Sequence, residues 1–288
     1  MEKNNKQIMT TNNVKKREIY FQCIEKTKQG QIKIPESTQI RILFVQKGVC
    51  LFSCAMHVDM MLESKSIVLI PPHNKCILKT TGSVQLILMG MTVDMHFCNN
   101  VPLEKLLEVE GVIKSRYKQY EISALKINKI MSDYLAHVKQ CLSSGLNDPE
   151  FFQMKQRELL YYFGHFYTSD ELYLFFKPIL TKDIAFSRKF YQINETCHNI
   201  SDMAENMGYS LSGFKKHFKL IFGVPAYQWL CMEKAKKLFH EITCSRVTFT
   251  QISKDFKFSS PAHLNNFCLK MLGDTPGNIR AKKTLSTL

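Results

Sequence analysis

Apolar and polar residues alternate in short runs over the first third of the chain, then switch to a three-and-four spacing that persists to the end. From about Ile19 to Val93 the runs read as short strands. "QIRILFVQKGVCLFSCAMHVDMM" joins two apolar or alternating runs across Lys47-Gly48, which predicts a hairpin turn there. "SIVLIPPHNKCILKT" predicts a buried strand that stops at Pro71-Pro72, because proline donates no ladder hydrogen bond. "SVQLILMGMTV" predicts another. Short strands at regular spacing, separated by turn residues, point to a β-sandwich or barrel.

After Pro102 the period changes. Ile122, Leu125, Ile130, Tyr134, Leu135, Val138 and Leu142 recur at mostly three- and four-residue steps and predict one long amphipathic helix. "DPEFFQMKQRELLYYFGHFY" opens with Asp148 as a cap and Pro149 in the first turn, a helix start. "DELYLFFKPIL" adds a short helix stopped by Pro178. The many aromatics of this region suit either packing against the strands or a helix-pair contact between two copies of the chain.

The last hundred residues carry an internal repeat. "NISDMAENMGYSLSGFKKHFKLIFGVP" and "TFTQISKDFKFSSPAHLNNFCLKMLGDTP" each encode a capped short helix, a tight turn and a second helix that stops at glycine. Asn199 and Thr248 are the predicted caps, with Gln251 placed for a capping box and Ser260-Pro261 opening the last helix. The second helices superimpose at a constant offset of 50: Phe214 on Leu264, Phe218 on Cys268, Phe222 on Leu272, Gly223 on Gly273. Two short helices around a tight turn form the helix-turn-helix shape. Between the copies, "AYQWLCMEKAKKLFHEI" places Tyr227, Leu230, Cys231, Lys234, Ala235, Leu238 and Phe239 on one stripe, a rod that joins the two heads. With Phe214 and Phe218 inward, Ser212, Lys215, Lys216 and Lys219 face away from the core, and the offset puts Ala262, Asn265, Asn266 and Leu269 on the matching face. Lysine can donate to guanine N7 and O6, and asparagine can pair bidentately with adenine N6 and N7.

Charge agrees with that placement. The chain of 288 residues is long enough for two domains and has a net charge of +14. Residues 182–288 hold 16 basic and 8 acidic side chains, a net +8 over 107 residues, against +6 over the preceding 181. A polyanionic partner is therefore expected at the C-terminal end. The opening "MEKNNKQIMTTNNVKKRE" has neither the apolar core nor the cleavage pattern of a signal peptide and reads as a polar tail. No apolar run is long enough to span a bilayer. Ten cysteines with no C-x-x-C pair read as reduced thiols, which predicts a cytoplasmic protein and no membrane partner.

Ile200 to Arg280 resembles the paired helix-turn-helix domain of AraC-type (AraC/XylS) transcription regulators. The resemblance lies in "SDMAENMGYSLSGFKKHFK" with Gly223 and Pro225, then "YQWLCMEKAKKLF", "ISKDFKFSSPAHLNNFC" and "GDTPGNIR". It implies an α+β chain: polar tail 1–17, cupin-like β-barrel or sandwich sensor 18–100, helical linker and dimerisation region 101–181, and all-α DNA-binding domain 182–288. By position it assigns Ser212, Lys215, Lys216, Ala262, Asn265 and Asn266 to base edges, and Lys219, Lys270 and Arg280 to phosphate. Double-stranded DNA is the implied partner, together with RNA polymerase, a small-molecule effector at the barrel mouth and a second copy held through the 115–170 helices; no cofactor is implied. Two positions depart from the family pattern. Lys257 stands where the second turn usually has glycine, and Leu269 replaces a basic or polar residue, so the first head is expected to carry more of the affinity.

Other chemistry is thinly represented. "CAMHVDMMLE" offers Cys54, His57, Asp59 and Glu63 as metal ligands but lacks a paired histidine motif, and His73 and His96 stand alone. The sequence has no G-x-S-x-G, H-E-x-x-H or phosphate loop. Cys50 and Cys54 would be a redox pair only with an electropositive neighbour. The expected function is sequence-specific transcription regulation without catalysis; the alternative is a metal-dependent cupin enzyme with a basic helical accessory domain.

Overall fold

A computed structural model describes residues 20–91, 106–107, 122–180, 183–194, 197 and 199–285. The expected polar tail and His96 lie outside them. Nine strands form two antiparallel sheets among the described residues. The first sheet has the order β1 (Tyr20–Lys26), β8 (Val84–Met91), β3 (Ile40–Lys47), β6 (Ser66–Ile70), β9 (Ala124–Lys126). The second has the order β2 (Gly30–Ile34), β7 (Cys76–Thr80), β4 (Cys50–Cys54), β5 (His57–Leu62). The N-terminal part is thus a sandwich of two separate sheets.

The apolar run of β3 reflects burial on both faces. Leu43 and Val45 point between the sheets, where they meet Phe52, Val68, Leu78, Leu86 and Leu88. Ile40, Ile42 and Phe44 point the other way, into a core shared with three helices. These are α1 (Lys129–Ser143), α2 (Pro149–Phe166) and α3 (Ser169–Phe176). A strand covered on both sides loses the alternation of a half-exposed one. The aromatics of α2 and α3 divide by face: Phe152, Phe163, Phe175 and Phe176 are buried in that core, while Tyr161 and Phe166 stay exposed.

Two expectations change. β3 and β4, on either side of Lys47-Gly48, do not pair. β3 bonds to β6 and β8, whereas β4 bonds to β5 and β7, so Gly48, at a φ of 86°, carries the chain from one sheet to the other. The helix expected from Ile122 begins only at Lys129, where the Asn128 side chain accepts from the Met131 N–H at 2.8 Å. Leu125 belongs instead to β9, whose Ser66↔Lys126 register closes one edge of the sheet. Asp148 caps α2 with Pro149 at its first position, as expected, and on α3 Thr168 with Glu171 makes a capping box.

The remaining helices are α4 (Ile184–Ile193), α5 (Ile200–Met207), α6 (Leu211–Phe222), α7 (Ala226–Cys244), α8 (Phe249–Asp255), α9 (Pro261–Leu272) and α10 (Pro276–Leu285). The second half of α7 lies against β4 and β5. Ion pairs Lys75–Glu241 and Lys237–Glu36 fasten it there. Burial pushes the Glu241 carboxyl up, but the Lys75 ammonium outweighs it and leaves the group below its ordinary range.

A candidate nucleic-acid interface on two repeated heads

The first head is α5 and α6. Asn199 caps α5 by accepting from the Asp202 N–H at 2.9 Å, and Ser210 caps α6 by accepting from the Gly213 N–H at 3.1 Å. Gly208 makes the turn between them at a φ of 80°, and Gly223 ends α6 at 76°. The second head is α8 and α9. Thr248 caps α8 through the Gln251 N–H at 3.2 Å, Ser260 caps α9 through the His263 N–H at 3.1 Å, and Gly273 ends it at a φ of 78°. The capping box expected from Gln251 is only half made, because its amide turns forward to Asp255 at 2.7 Å.

The turn of the second head is one residue longer. The Gly208 N–H reaches Glu205 O and the Tyr209 N–H reaches Ala204 O; Lys257 and Phe258 repeat both bonds onto Lys254 O and Ser253 O. These first helices are therefore offset by 49 and the second helices by 50, with Ser259 the added residue. Lys257 takes the left-handed role of Gly208 at a φ of 54°. An L side chain costs about 1–2 kcal/mol in that conformation, while glycine gives back part of this through its freer unfolded chain. Lys257→Gly should accordingly raise stability by about 0.5–1 kcal/mol, read as a higher thermal midpoint with DNA binding unchanged.

Each head has its own core. In the first, Phe214 and Phe218 pack with Phe186 and Phe190 of α4 and with Phe222 and Trp229. The sequence reading did not single out α4, although Phe186, Phe190 and Ile193 already show the helical spacing. In the second head, Leu264 and Cys268 pack with Leu238, Ile242, Ile252, Phe258 and Ile279. Lys234, the one charge on the apolar stripe of α7, places its ammonium 3.9 Å from the Phe258 ring centroid and 5.7 Å from that of Phe267. Burial lowers its pKa, and the ring faces supply the stabilisation that water would have given. Tyr227, expected on the same stripe, is instead 70% exposed.

The outward faces are where the periodicity put them. Ser212, Lys215, Lys216 and Lys219 are exposed along α6; Ala262, Asn266 and Lys270 are exposed along α9, and Asn265 is half-buried. Arg280 differs. Its guanidinium turns inward, donating to Ile242 O at 3.0 Å and Val247 O at 2.9 Å and lying 4.2 Å from the Phe249 ring centroid. It ties α10 to the end of α7 and the start of α8, which corrects its expected place at phosphate.

The N-terminal residues singled out for metal have other engagements. His57 Nε2 accepts from the Ile122 N–H at 3.1 Å, and Asp59 holds Lys79 at 3.0 Å. Cys54 is buried beside Cys76, its register partner on β7, and burial pushes the Cys50 thiol up to about 11. Among the described residues no three histidine, cysteine or carboxylate side chains converge as a metal site. No described helix is long and apolar enough to cross a membrane.

Two capped heads on one rod, with polar faces turned out of a basic domain, have the form of a paired helix-turn-helix domain. Residues 203–282 match the family model of a helix-turn-helix domain. No curated protein matches the sequence. Among solved structures, the chain is similar to ToxT from Vibrio cholerae, at 11% identity over 91% of this chain and 97% of that one, with a TM-score of 0.44. It is also similar to an AraC-type regulator from Chromobacterium violaceum, at 18% identity over 33% of this chain and 88% of that one, with a TM-score of 0.31. A third likeness is to the DNA-binding domain of AdpA in complex with a target DNA, at 19% identity over 34% and 90% of the two chains, with a TM-score of 0.31.

Proposed function

We propose that this chain regulates transcription by binding a specific DNA site, with α6 and α9 in successive major grooves. The observation that carries this is the pair of matched outward faces on one rod: Ser212, Lys215 and Lys216 on α6, and Ala262, Asn265 and Asn266 on α9. The rod has 19 residues, or about 28 Å at 1.5 Å per residue. That is close to the ~34 Å between neighbouring turns of one groove. Lys219 and Lys270 are left for phosphate. The protein acts in the cytoplasm, without catalysis, and reaches RNA polymerase from its bound site. Pairing of two copies through the α1–α2 region rests on the exposed Met154 and Tyr161 of α2.

A second reading makes the N-terminal sandwich a sensor for a small ligand. It is supported by the seam between sandwich and rod, where Glu36, Asn74, Lys75, Lys237 and His240 surround a small cavity. A ligand there would act on the helix that sets the spacing of the heads.

Selection of bound fragments from genomic DNA by the full-length protein tests the main reading. The expected result is one motif with two elements about 10–10.5 base pairs apart, bound with an affinity that falls steeply with salt. A flat salt response, or no enriched motif, would sink it.

A further inference from the structure

Several lysines of this chain hold carboxylates, among them Lys75, Lys79, Lys155, Lys236 and Lys237. Lys215, Lys216 and Lys219 form no ion pair among the described residues, although they share one face of α6. Lys215 and Lys219 are a like-charged pair four residues apart, an arrangement that weakens a helix. The three line a groove of about 280 Å³ together with Ile200 from the start of α5 and Pro225, Ala226 and Tyr227 at the start of α7. Tyr227 contributes an aromatic ring that is 70% exposed. Three like charges and an exposed ring in one groove are a cost that no ion pair among the described residues offsets.

The internal repeat supplies a control. An offset of 50 puts Asn265, Asn266 and Leu269 in the places of Lys215, Lys216 and Lys219, and Pro276 and Gly277 in the places of Ala226 and Tyr227. At the positions matching Lys215, Lys216, Lys219 and Tyr227 the second head therefore has neither a cation nor a ring, and Phe249, in the place of Ile200 at the offset of 49, is held by Arg280. A feature required by the fold would recur in both copies, and this one does not.

Resting on the DNA-binding reading above, we propose that this groove is a seat for the sugar-phosphate backbone of one DNA strand, present in the first head and not in the second. Lys219 and Tyr227 are its own residues: the ammonium meets a phosphate oxygen and the ring packs on an adjacent deoxyribose. Lys215 and Lys216 serve the base face and add their charge to the groove. The two heads thereby divide the task, the first anchoring the protein and the second discriminating sequence through its asparagines.

The test uses the full-length protein with a duplex of about 30 base pairs (~three turns) carrying the selected site, and a scrambled duplex of equal length. Binding is followed by fluorescence anisotropy from low to high salt. Lys219→Ala should weaken both duplexes alike, by about tenfold, and lower the slope of log affinity against log salt by about one. Tyr227→Ala should weaken both by about three- to tenfold with the slope unchanged, since the ring carries no charge. Both side chains are exposed, so thermal midpoints should stay at the wild-type value. The double variant Leu269→Lys with Gly277→Tyr builds the missing cation and ring into the second head, where a Cβ added at Gly277 meets no neighbouring atom within 4 Å. It should tighten both duplexes and steepen the slope by about one. Wild-type binding by Tyr227→Ala overturns the seat while leaving the DNA-binding reading intact, and so does a loss confined to the selected duplex, which would make Tyr227 a sequence reader. Failure of the double variant to tighten binding counts against the seat equally. If the wild-type protein itself binds neither duplex in a salt-dependent way, the DNA-binding reading is what fails.

Discussion

Phe218→Ala should destabilise the first head by about 3–5 kcal/mol, a large share of the ~5–15 kcal/mol that holds a typical domain folded. The ring is fully buried. Its centroid is 4.3 Å from that of Phe222 in a stacked pair, 4.9 Å from Phe190 edge-on and 5.5 Å from Phe214. Alanine would leave a cavity walled by rigid rings on helices whose caps fix their positions, so little collapse can refill it. The matching position in the second head is Cys268, also fully buried. Cys268→Ala removes a single heavy atom and should cost only about 1 kcal/mol. The chain has one tryptophan, Trp229, and it sits in the affected cluster. Urea unfolding followed by its fluorescence therefore reports the first head directly. Equal midpoints for the two variants would show that the aromatic cluster is not what holds that head together.

Asn266→Ala should move stability and binding in opposite directions. Asn266 is exposed in the middle of α9, where alanine is the better helix former by roughly 0.5 kcal/mol. The folded protein should be slightly more stable. Against the selected DNA site, loss of a bidentate contact to adenine should cost about 1–3 kcal/mol at one base pair, with no change against scrambled DNA. Asn265→Ala should show the same sign with a smaller stability gain, since that side chain is half-buried. Competition binding across single base-pair changes in the site measures both. A uniform loss over all sequences would reassign these amides to the backbone, and no loss at all would remove them from the interface.

Much of the C-terminal part was legible because it is built from local signals. Asn199, Ser210, Thr248 and Ser260 sit where caps must be, and Gly208, Gly223 and Gly273 sit where a left-handed residue closes a helix. The faces of α6 and α9 follow from the spacing of Phe214, Phe218, Leu264 and Cys268 alone. The inserted Ser259 leaves no trace in the second helices, where the offset is constant. It is visible only when the turn hydrogen bonds of Lys257 and Phe258 are matched to those of Gly208 and Tyr209.

The misreadings share a physical cause. Periodicity says that a residue is buried, and it is silent about what covers it. Leu125 fits a helical stripe as well as it fits β9, and the decision rests on Asn128 starting a helix and on β6 offering an open edge. The runs on either side of Gly48 look like a hairpin, but β3 finds partners in β6 and β8, more than 15 residues away in sequence. Arg280 reads as a surface cation until two carbonyls and the Phe249 ring are found waiting for it. Lys234 reads as an error on an apolar stripe until the rings of Phe258 and Phe267 appear beneath it.

By itself, the sequence determined that this protein has two copies of one helix-turn-helix head on a connecting rod, with lysines outward on the first and asparagines on the second. Those features depend on residues within a turn or two of each other, and the backbone rules that select caps, turns and helix faces act at that range. Only the tertiary structure decided that the rod is pinned to the sandwich by Lys75–Glu241 and Lys237–Glu36, that Arg280 faces inward, and that Tyr227 shares a groove with Lys215, Lys216 and Lys219. Contacts across long stretches of chain depend on which surfaces meet once the elements have formed, and no local pattern of residues encodes that meeting.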